Sequence, residues 1–336
     1  MFQAALGRLS AGEDLTLAEM DAALEHIMSG QAAEGQIGVF LIALREKGET
    51  SAELAGAAQC MRRHMTRIRS THEVFVDTCG TGGDASQTFN ISTTAAIVTA
   101  AAGLPVAKHG NRSVTSRSGS ADVLAALGVN LEADVPTIER CLAELGLCFC
   151  FAPALHPAMK QVGAVRRKLG VRTIFNLLGP LCNPAGAPFQ VLGTGRPELQ
   201  NKLAEALQLL GTRRSLVVCG HGLGEVNLEA KTSVTEVTAE ALQPFEWTAA
   251  DFGLPASSLA PLAVENPEQS AAVVRRVLSG EQGPARNIVL ANAAAALCVA
   301  GKAETLRSGV EQAAAAIDSG AALALLERLA AMSYGS

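Results

Sequence analysis

The sequence predicts an α/β protein in which a helical N-terminal part precedes a larger part built on a mostly parallel sheet. Apolar residues over the first 70 or so positions recur at three- and four-residue steps, the period of one helix face. From Val74 onward, short β-branched runs alternate with helical stretches, the rhythm of a parallel sheet covered on both sides. A length of 336 residues exceeds what a single hydrophobic core usually organises, so two lobes or one large α/β domain are expected.

The helical start divides into three amphipathic stretches. Leu17, Met20, Leu24, Ile27 and Met28 form the first stripe, with Thr16 as N-cap, Glu19 completing a capping box and Gly30 as the stop. Ile37, Phe40, Leu41 and Leu44 form the second, ending near Gly48, and Ser51 to Met65 the third. The basic run that closes it, RRHMTRIRS, is expected to be a solvated face. At Val74 the pattern changes. The run VFVD is short, β-branched and aromatic, and leads into TCGTGGD, a strand and then a glycine loop. A small-residue helix from Ser92 to Gly103, a strand from Pro105 to Lys108 and a helix from Ala121 to Leu127 continue the alternation. LCFCFAP, VLGTG and SLVVCG read as further strands, with helices near 199–210, 267–279 and 286–300. Leu254 to Glu268 is the most loop-like stretch, there is no internal repeat, and the alanine runs at 293–296 and 313–316 are helix interiors.

Hydrophobic residues make up 49% of the chain but aromatic residues only 4%, so the core is built from Ala, Leu, Val and Ile, which suits helices packed closely on a parallel sheet. A net charge of −5 argues against nucleic-acid or anionic-membrane binding, although a local basic patch can still serve an anionic small molecule. The eight cysteines include no C-x-x-C pair. Cys148 and Cys150 fall on one face if LCFCFAP is a strand, and are expected to be buried free thiols of a reducing cytosol rather than metal ligands. The N-terminus lacks a signal pattern and no apolar run is long enough to span a bilayer, so a cytoplasmic location is expected.

Four constellations carry chemistry. In Gly80-Thr81-Gly82-Gly83-Asp84, glycines directly after a strand let backbone N–H groups approach an anion. Gly80, Gly82 and Ala85 also satisfy a dinucleotide G-x-G-x-x-A pattern, but the place about twenty residues on that should hold an acid is near Lys108. An aspartate in the loop would repel a bare pyrophosphate unless a metal or ribose hydroxyls lay between. Asn90-Ile91-Ser92-Thr93-Thr94 opens the alanine-rich helix. These side chains either cap it or ligate phosphate oxygens at the positive end of its dipole. The third runs from Lys108, His109, Gly110, Asn111 and Arg112 to Ser120, with no apolar period. It reads as a polar loop dense in donors that suits a substrate with several phosphates, or as a solvent loop. The fourth extends from His156-Pro157 through Arg166-Arg167 to NLLGPLCNP. An arginine pair is usually a surface feature, yet a guanidinium here can hold a planar carboxylate bidentately.

GTGGD, NIST, KHGNRSVTSRSGSADVLAALG, HPAMKQVGAVRRKLGVRTIFNLLGPLCNPA and NAAAALCVAGK resemble, in that order and spacing, the anthranilate phosphoribosyltransferase family. The resemblance covers nearly the whole chain. It implies the nucleoside phosphorylase and phosphoribosyltransferase type of fold: a helical domain over residues 1–70, with a crossing segment near 160–190, and an α/β domain over 71–336. It further implies a homodimer through the helical domains and the transfer of the phosphoribosyl group of phosphoribosyl pyrophosphate (PRPP) to anthranilate in tryptophan biosynthesis. Carried over by position, Gly80, Gly83, Asp84, Thr88, Asn90, Ile91, Ser92 and Thr93 would bind PRPP. Lys108, His109, Gly110, Asn111, Arg112, Ser113, Val114, Thr115, Ser116 and Ser120 would do the same. Gly80, Asn111 and Arg166 would contact anthranilate, with Arg166 on its carboxylate, and Ser92 and Glu225 would hold Mg2+. Lys108 would neutralise the leaving pyrophosphate, and His109 could accept the proton of the amine or simply structure the loop. The chain departs from the family at Gly224, where an aspartate precedes the glutamate. Pyrimidine-nucleoside phosphorylases share the expected fold and a related glycine loop, but the KHGN and NLLGPLCNP segments favour the transferase. A non-catalytic nucleic-acid-binding relative should have lost GTGGD and gained a basic face.

Overall fold

The computed structural model describes residues 1–82, 87–113 and 118–335. Gly83, Asp84, Val114, Thr115 and Ser116, all expected to bind PRPP, lie outside the described residues.

The chain opens with helices α1 (Phe2–Ser10), α2 (Leu17–Met28), α3 (Glu34–Lys47) and α4 (Ser51–His64). The Thr16 hydroxyl accepts from the Glu19 amide while Glu19 accepts from the Thr16 amide; Thr50 and Glu53 repeat the arrangement on α4. Each such cap stabilises its helix by about 1 kcal/mol. The basic run at the end of α4 is not a solvated face. Arg63 pairs with Asp21 and Glu25, His64 bonds Glu25, and Arg62 Nε donates to the Leu181 carbonyl at 2.8 Å. These cations clamp α4 to α2 and to the chain near 181, contacts that a local charge pattern cannot reveal.

The α/β part follows as β1 (Val76–Asp77), α5 (Ile91–Ala101), β2 (Val106–Gly110), α6 (Ser120–Ala126), α7 (Val135–Leu145) and β3 (Leu147–Phe151). Next come α8 (Ala152–Leu155), α9 (Lys160–Leu169), β4 (Phe189–Gly193), α10 (Pro197–Leu209) and β5 (Arg214–Cys219). A hairpin of β6 (Thr232–Val237) and β7 (Leu242–Trp247) precedes α11 (Pro267–Leu278), α12 (Pro284–Val299), α13 (Leu306–Asp318) and α14 (Ala321–Met332).

The seven strands lie in the order β3-β2-β1-β4-β5-β6-β7. The first five are parallel, while β6 and β7 are antiparallel and were not anticipated. Pro244 on β7 sits on the outer strand, where a missing N–H costs no ladder bond. Sequence order reverses between β1 and β4, so the crevice beyond their C-terminal ends is where ligands are expected to bind.

Two strands differ from expectation. VFVD contributes only Val76 and Asp77. His109 and Gly110, read as loop beyond a strand ending at Lys108, instead continue β2, because β3 pairs with it as far as Gly110↔Phe151. Helices α5, α12, α13 and α14 cover one face of the sheet. On the other face, buried residues from Val162 to Cys182 join one apolar cluster with α1–α4 and α10. Cys148 and Cys150 are adjacent buried thiols on β3, 4.0 Å apart, and every cysteine is free. Among the described residues no helix is long and apolar enough to cross a membrane.

Candidate active site

A cleft of about 870 Å³ opens at the C-terminal ends of β1, β2 and β4, with residues of α4, α9 and α10 on its far wall. The glycine turn after β1 forms its floor. Gly80 bridges to Gly193 at the end of β4, and the Thr81 amide donates to the Gly193 carbonyl at 2.9 Å. A Cβ on Gly80 would fall 2.9 Å from that carbonyl oxygen, and one on Gly193 would fall 1.6 Å from the Gly224 carbonyl oxygen. Bare backbone is therefore required where three loops meet.

Helix α5 directs its N-terminus at the cleft. Asn90 caps it, accepting from the Thr93 amide and hydroxyl, and its side-chain N–H donates to the Ser118 carbonyl at 3.3 Å. Ile91 and Thr93 are buried in the core, and their amides are engaged by the Phe89 carbonyl and the Asn90 side chain, so here the two expected PRPP-binding positions shape the helix start rather than present free donors. Ser92 turns its hydroxyl to the cleft. Thr88, on the approach, bridges to Ala263.

Lys108 projects from β2 beneath this helix and is almost fully buried. Its ammonium donates to the Thr78 carbonyl at 2.6 Å and lies 3.5 Å from Ser92 Oγ. Burial lowers its pKa, opposed by Cys79, Asp77 and Glu225. His109, next along the strand, turns the other way. Its Nδ1 lies 2.9 Å from the Gly179 carbonyl, and its Nε2 lies 3.2 Å from Nε2 of His156. A carbonyl only accepts, so His109 Nδ1 carries hydrogen and its Nε2 accepts from His156. Burial, reinforced by His156, depresses His109 to about 3, and burial takes His156 to about 4.

Gly110 ends β2 where a Cβ would strike Ser120 Oγ and the Phe149 ring. The polar stretch beyond is tied back by Asp122, which accepts from the amides of Ser113 and Gly119 and pairs with Arg112 at 3.2 Å. Asn111 faces the cleft and its carbonyl accepts from the Ser120 hydroxyl. Across the cleft, Arg166 on α9 stands over the Phe175 ring at 5.5 Å. It is half-buried and, among the described residues, has no carboxylate partner. Glu225 and Gly224 complete the lining. Asn292 on α12 holds this segment by accepting from the Val226 amide at 2.9 Å and donating to the Val226 carbonyl at 3.1 Å.

Residues 72–323 match the glycosyl transferase family a/b domain, and residues 3–65 match the helical bundle domain of the same family. The anthranilate phosphoribosyltransferase of Anaeromyxobacter dehalogenans is 54% identical over 331 residues, covering 98% of both chains. The chain belongs to the anthranilate phosphoribosyltransferase family. The enzyme of that name from Moorella thermoacetica is 50% identical over 98% of both chains. The crystal structure of the Thermus thermophilus member has a TM-score of 0.92 at 42% identity, covering 98% of this chain and 99% of that one. The Saccharomyces cerevisiae anthranilate phosphoribosyltransferase in complex with PRPP and Mg has a TM-score of 0.91 at 29% identity, covering 100% of this chain and 98% of that one.

Several residues that build this phosphoribosyltransferase cleft escaped the sequence reading. Asp77, Gly193 and Asn292 act through backbone groups far away in sequence, and Asp122 through the amides of the polar stretch just before it. The available signals were weak: an acid ending an apolar strand, and one Asn opening an alanine-rich helix turn. At the departure from the family, Gly220 and Leu223 close a tight turn on each other, with His221 and Gly222 in the left-handed region at its tip. His221 is exposed there and outside the cleft lining, so it does not stand in for the aspartate that the resemblance leads one to expect at Gly224.

Proposed function

We propose that this chain transfers the 5-phosphoribosyl group of PRPP to the amine of anthranilate, giving N-(5-phosphoribosyl)anthranilate and pyrophosphate, in tryptophan biosynthesis. The observation that carries this reading is the pairing of two sites in one cleft. A glycine turn, a helix N-terminus and a buried lysine on one wall suit a pyrophosphate. A half-buried arginine without a carboxylate partner among the described residues on the other suits an aromatic acid. Gly80 and Asn111 flank the place where the two substrates meet. The names of the Saccharomyces cerevisiae complexes, with PRPP and Mg and with 4-fluoroanthranilate, support the same pair.

Displacing pyrophosphate from an anomeric carbon passes through a cationic, oxocarbenium-like state, so no protein nucleophile is needed. The residues' task is placement and charge. Arg166 clamps the carboxylate and thereby presents the amine. Lys108 supplies positive charge where the leaving group gains negative charge. Ser92 and Glu225 fit a magnesium ion: both offer oxygen, the donor this ion prefers, and both act on the same Lys108 ammonium. Bound there, the ion would add charge neutralisation on the pyrophosphate. Both nitrogens of His109 are engaged within the protein, so we read its ring as orienting the end of β2 rather than receiving a proton.

We further propose a homodimer through the helical domain of residues 1–70 and the segment near 160–190, packed beside the α/β domain of 71–336. The exposed Val39, with Ile42 and Ala43 on α3, supports this face. A cytoplasmic location is part of the same reading, and the acidic charge balance accords with the lack of nucleic-acid or anionic-membrane binding. Incubating the protein with anthranilate, PRPP and Mg2+ and following the loss of anthranilate fluorescence tests the activity. A pyrimidine nucleoside with inorganic phosphate serves as the competing substrate pair.

A further inference from the structure

We propose that Asp77 is a positioning residue of this site, its carboxylate holding the Lys108–His109 end of β2 so that the Lys108 ammonium meets the pyrophosphate. The inference rests on the reading above that Lys108 faces the leaving group.

Strand β1 is only two residues long, and its pairing with β2 is recorded at Val76↔Val106. Strand β2 continues to Gly110, paired throughout with β3 on its other side. Past Ala107, groups from elsewhere complete the β1 side of the strand. Asn183 Nδ2 donates to the Ala107 carbonyl at 2.8 Å. The His109 amide donates to Asp77 Oδ1 at 3.1 Å. The Lys108 ammonium donates to the carbonyl of Thr78, the residue after Asp77. Asp77 thus fixes the residue after the lysine, and its own chain neighbour fixes the lysine.

A structural hydrogen bond to one amide needs no charge. An asparagine or serine would accept it without placing an ionisable group in a fully buried position, which is costly unless the charge is compensated. Asp77 has zero exposure, and among the described residues its Oδ2 has no hydrogen-bond partner. Burial pushes its carboxyl up to about 6, and Lys108 is the main influence holding it down, with Asn183 and the amides of His109 and Thr78 beside it. A buried carboxylate whose charge acts on the Lys108 ammonium, while the next residue carries the carbonyl that the ammonium bonds, is what a site needs to keep that ammonium charged and aimed before an anionic substrate arrives.

The test is Asp77→Asn, which keeps shape and one acceptor but removes the charge. The expected result is a kcat lower by about tenfold or more, the signature of an interaction made mainly in the transition state. The KM for anthranilate should stay within about twofold because Arg166 is untouched. The melting temperature should fall, because the buried Lys108 ammonium loses a compensating charge, so the kinetic readouts and not stability decide the test. Combining it with Lys108→Met should add little further loss if Asp77 acts through the lysine. An unchanged kcat would overturn the proposal, as would full additivity with Lys108→Met. Asp77→Ser carries the same expectations if the asparagine form does not fold, and failure of both to fold assigns Asp77 to stability alone. A wild-type protein inactive on both substrates would instead refute the function reading, so the two failures are distinguishable.

Discussion

Arg166 and Lys108 are both cations of one cleft, yet burial gives them different tasks. Arg166 is half-buried over Phe175 and, among the described residues, lacks a carboxylate partner, so Arg166→Ala removes a charge-assisted contact worth about 1.5–3 kcal/mol. Steady-state kinetics should show the KM for anthranilate raised roughly tenfold to a hundredfold, with the KM for PRPP nearly unchanged. The reverse pattern would mean the two substrate ends are exchanged. Lys108 is nearly enclosed and anchored to Thr78, which suits a charge that meets the transition state rather than one that captures a ligand. Lys108→Met should lower kcat by about a hundredfold, on the scale of losing one preorganised stabilising group. Turnover that survives intact would remove Lys108 from the chemistry. At Gly224, where the resemblance leads one to expect an aspartate, magnesium can still keep several waters beside the proposed ligands Ser92 and Glu225. Activity should therefore need more free Mg2+ than in relatives with the aspartate, and Gly224→Asp should lower that requirement. Coincident magnesium titrations for the two forms would make the difference silent. These residues stood out in the sequence because no apolar period explains their polar side chains, although Lys108 and Arg166 lie inside β2 and α9 rather than in loops. Asp77 did not stand out, since it closes an apolar run and its partner amide lies 32 residues away.

The elements were legible where local chemistry decides them. The capping box at Thr16 and Gly30 after α2 act within a few residues of themselves. Strand ends were not legible, because pairing decides them: β2 runs to Gly110 only because β3 stays beside it. That extension has an electrostatic consequence. It brings His109 against His156 from the segment after α8, and both rings are held neutral. Their folded values of about 3 and about 4 lie below the ordinary value near 6.5, so the unfolded chain binds more protons as pH falls through that value. Stability contributed by the pair is present above the unfolded value and lost below it. Asp77, raised to about 6, acts oppositely: its folded form takes up a proton first, which offsets part of the loss. These three groups should together cost on the order of 2 kcal/mol between pH 7 and pH 5. Urea unfolding at the two pH values measures this, and His156→Gln should make the dependence shallower. A His156→Gln protein with the same slope as wild type would show that the pair is not its source.

At the scale of the whole molecule, two apolar clusters meet along the sheet, and the cleft lies at their seam. The alternation of strands and helices made the parallel sheet legible, and the helical period did the same for α2 to α4. The β6–β7 hairpin was missed because a polar edge strand with a proline has neither strict alternation nor an apolar run. That residues 160–182 pack with the N-terminal helices could not follow from local pattern, since it depends on which core the chain re-enters. This return brings Arg166 across from Lys108, and the proposed transfer depends on it. The most direct measurement follows anthranilate fluorescence together with pyrophosphate release in one reaction containing PRPP and Mg2+. The account predicts that fluorescence falls only when all three are present, with one pyrophosphate formed for each anthranilate consumed. Undiminished fluorescence at saturating PRPP and Mg2+, or pyrophosphate released without loss of anthranilate, would contradict it.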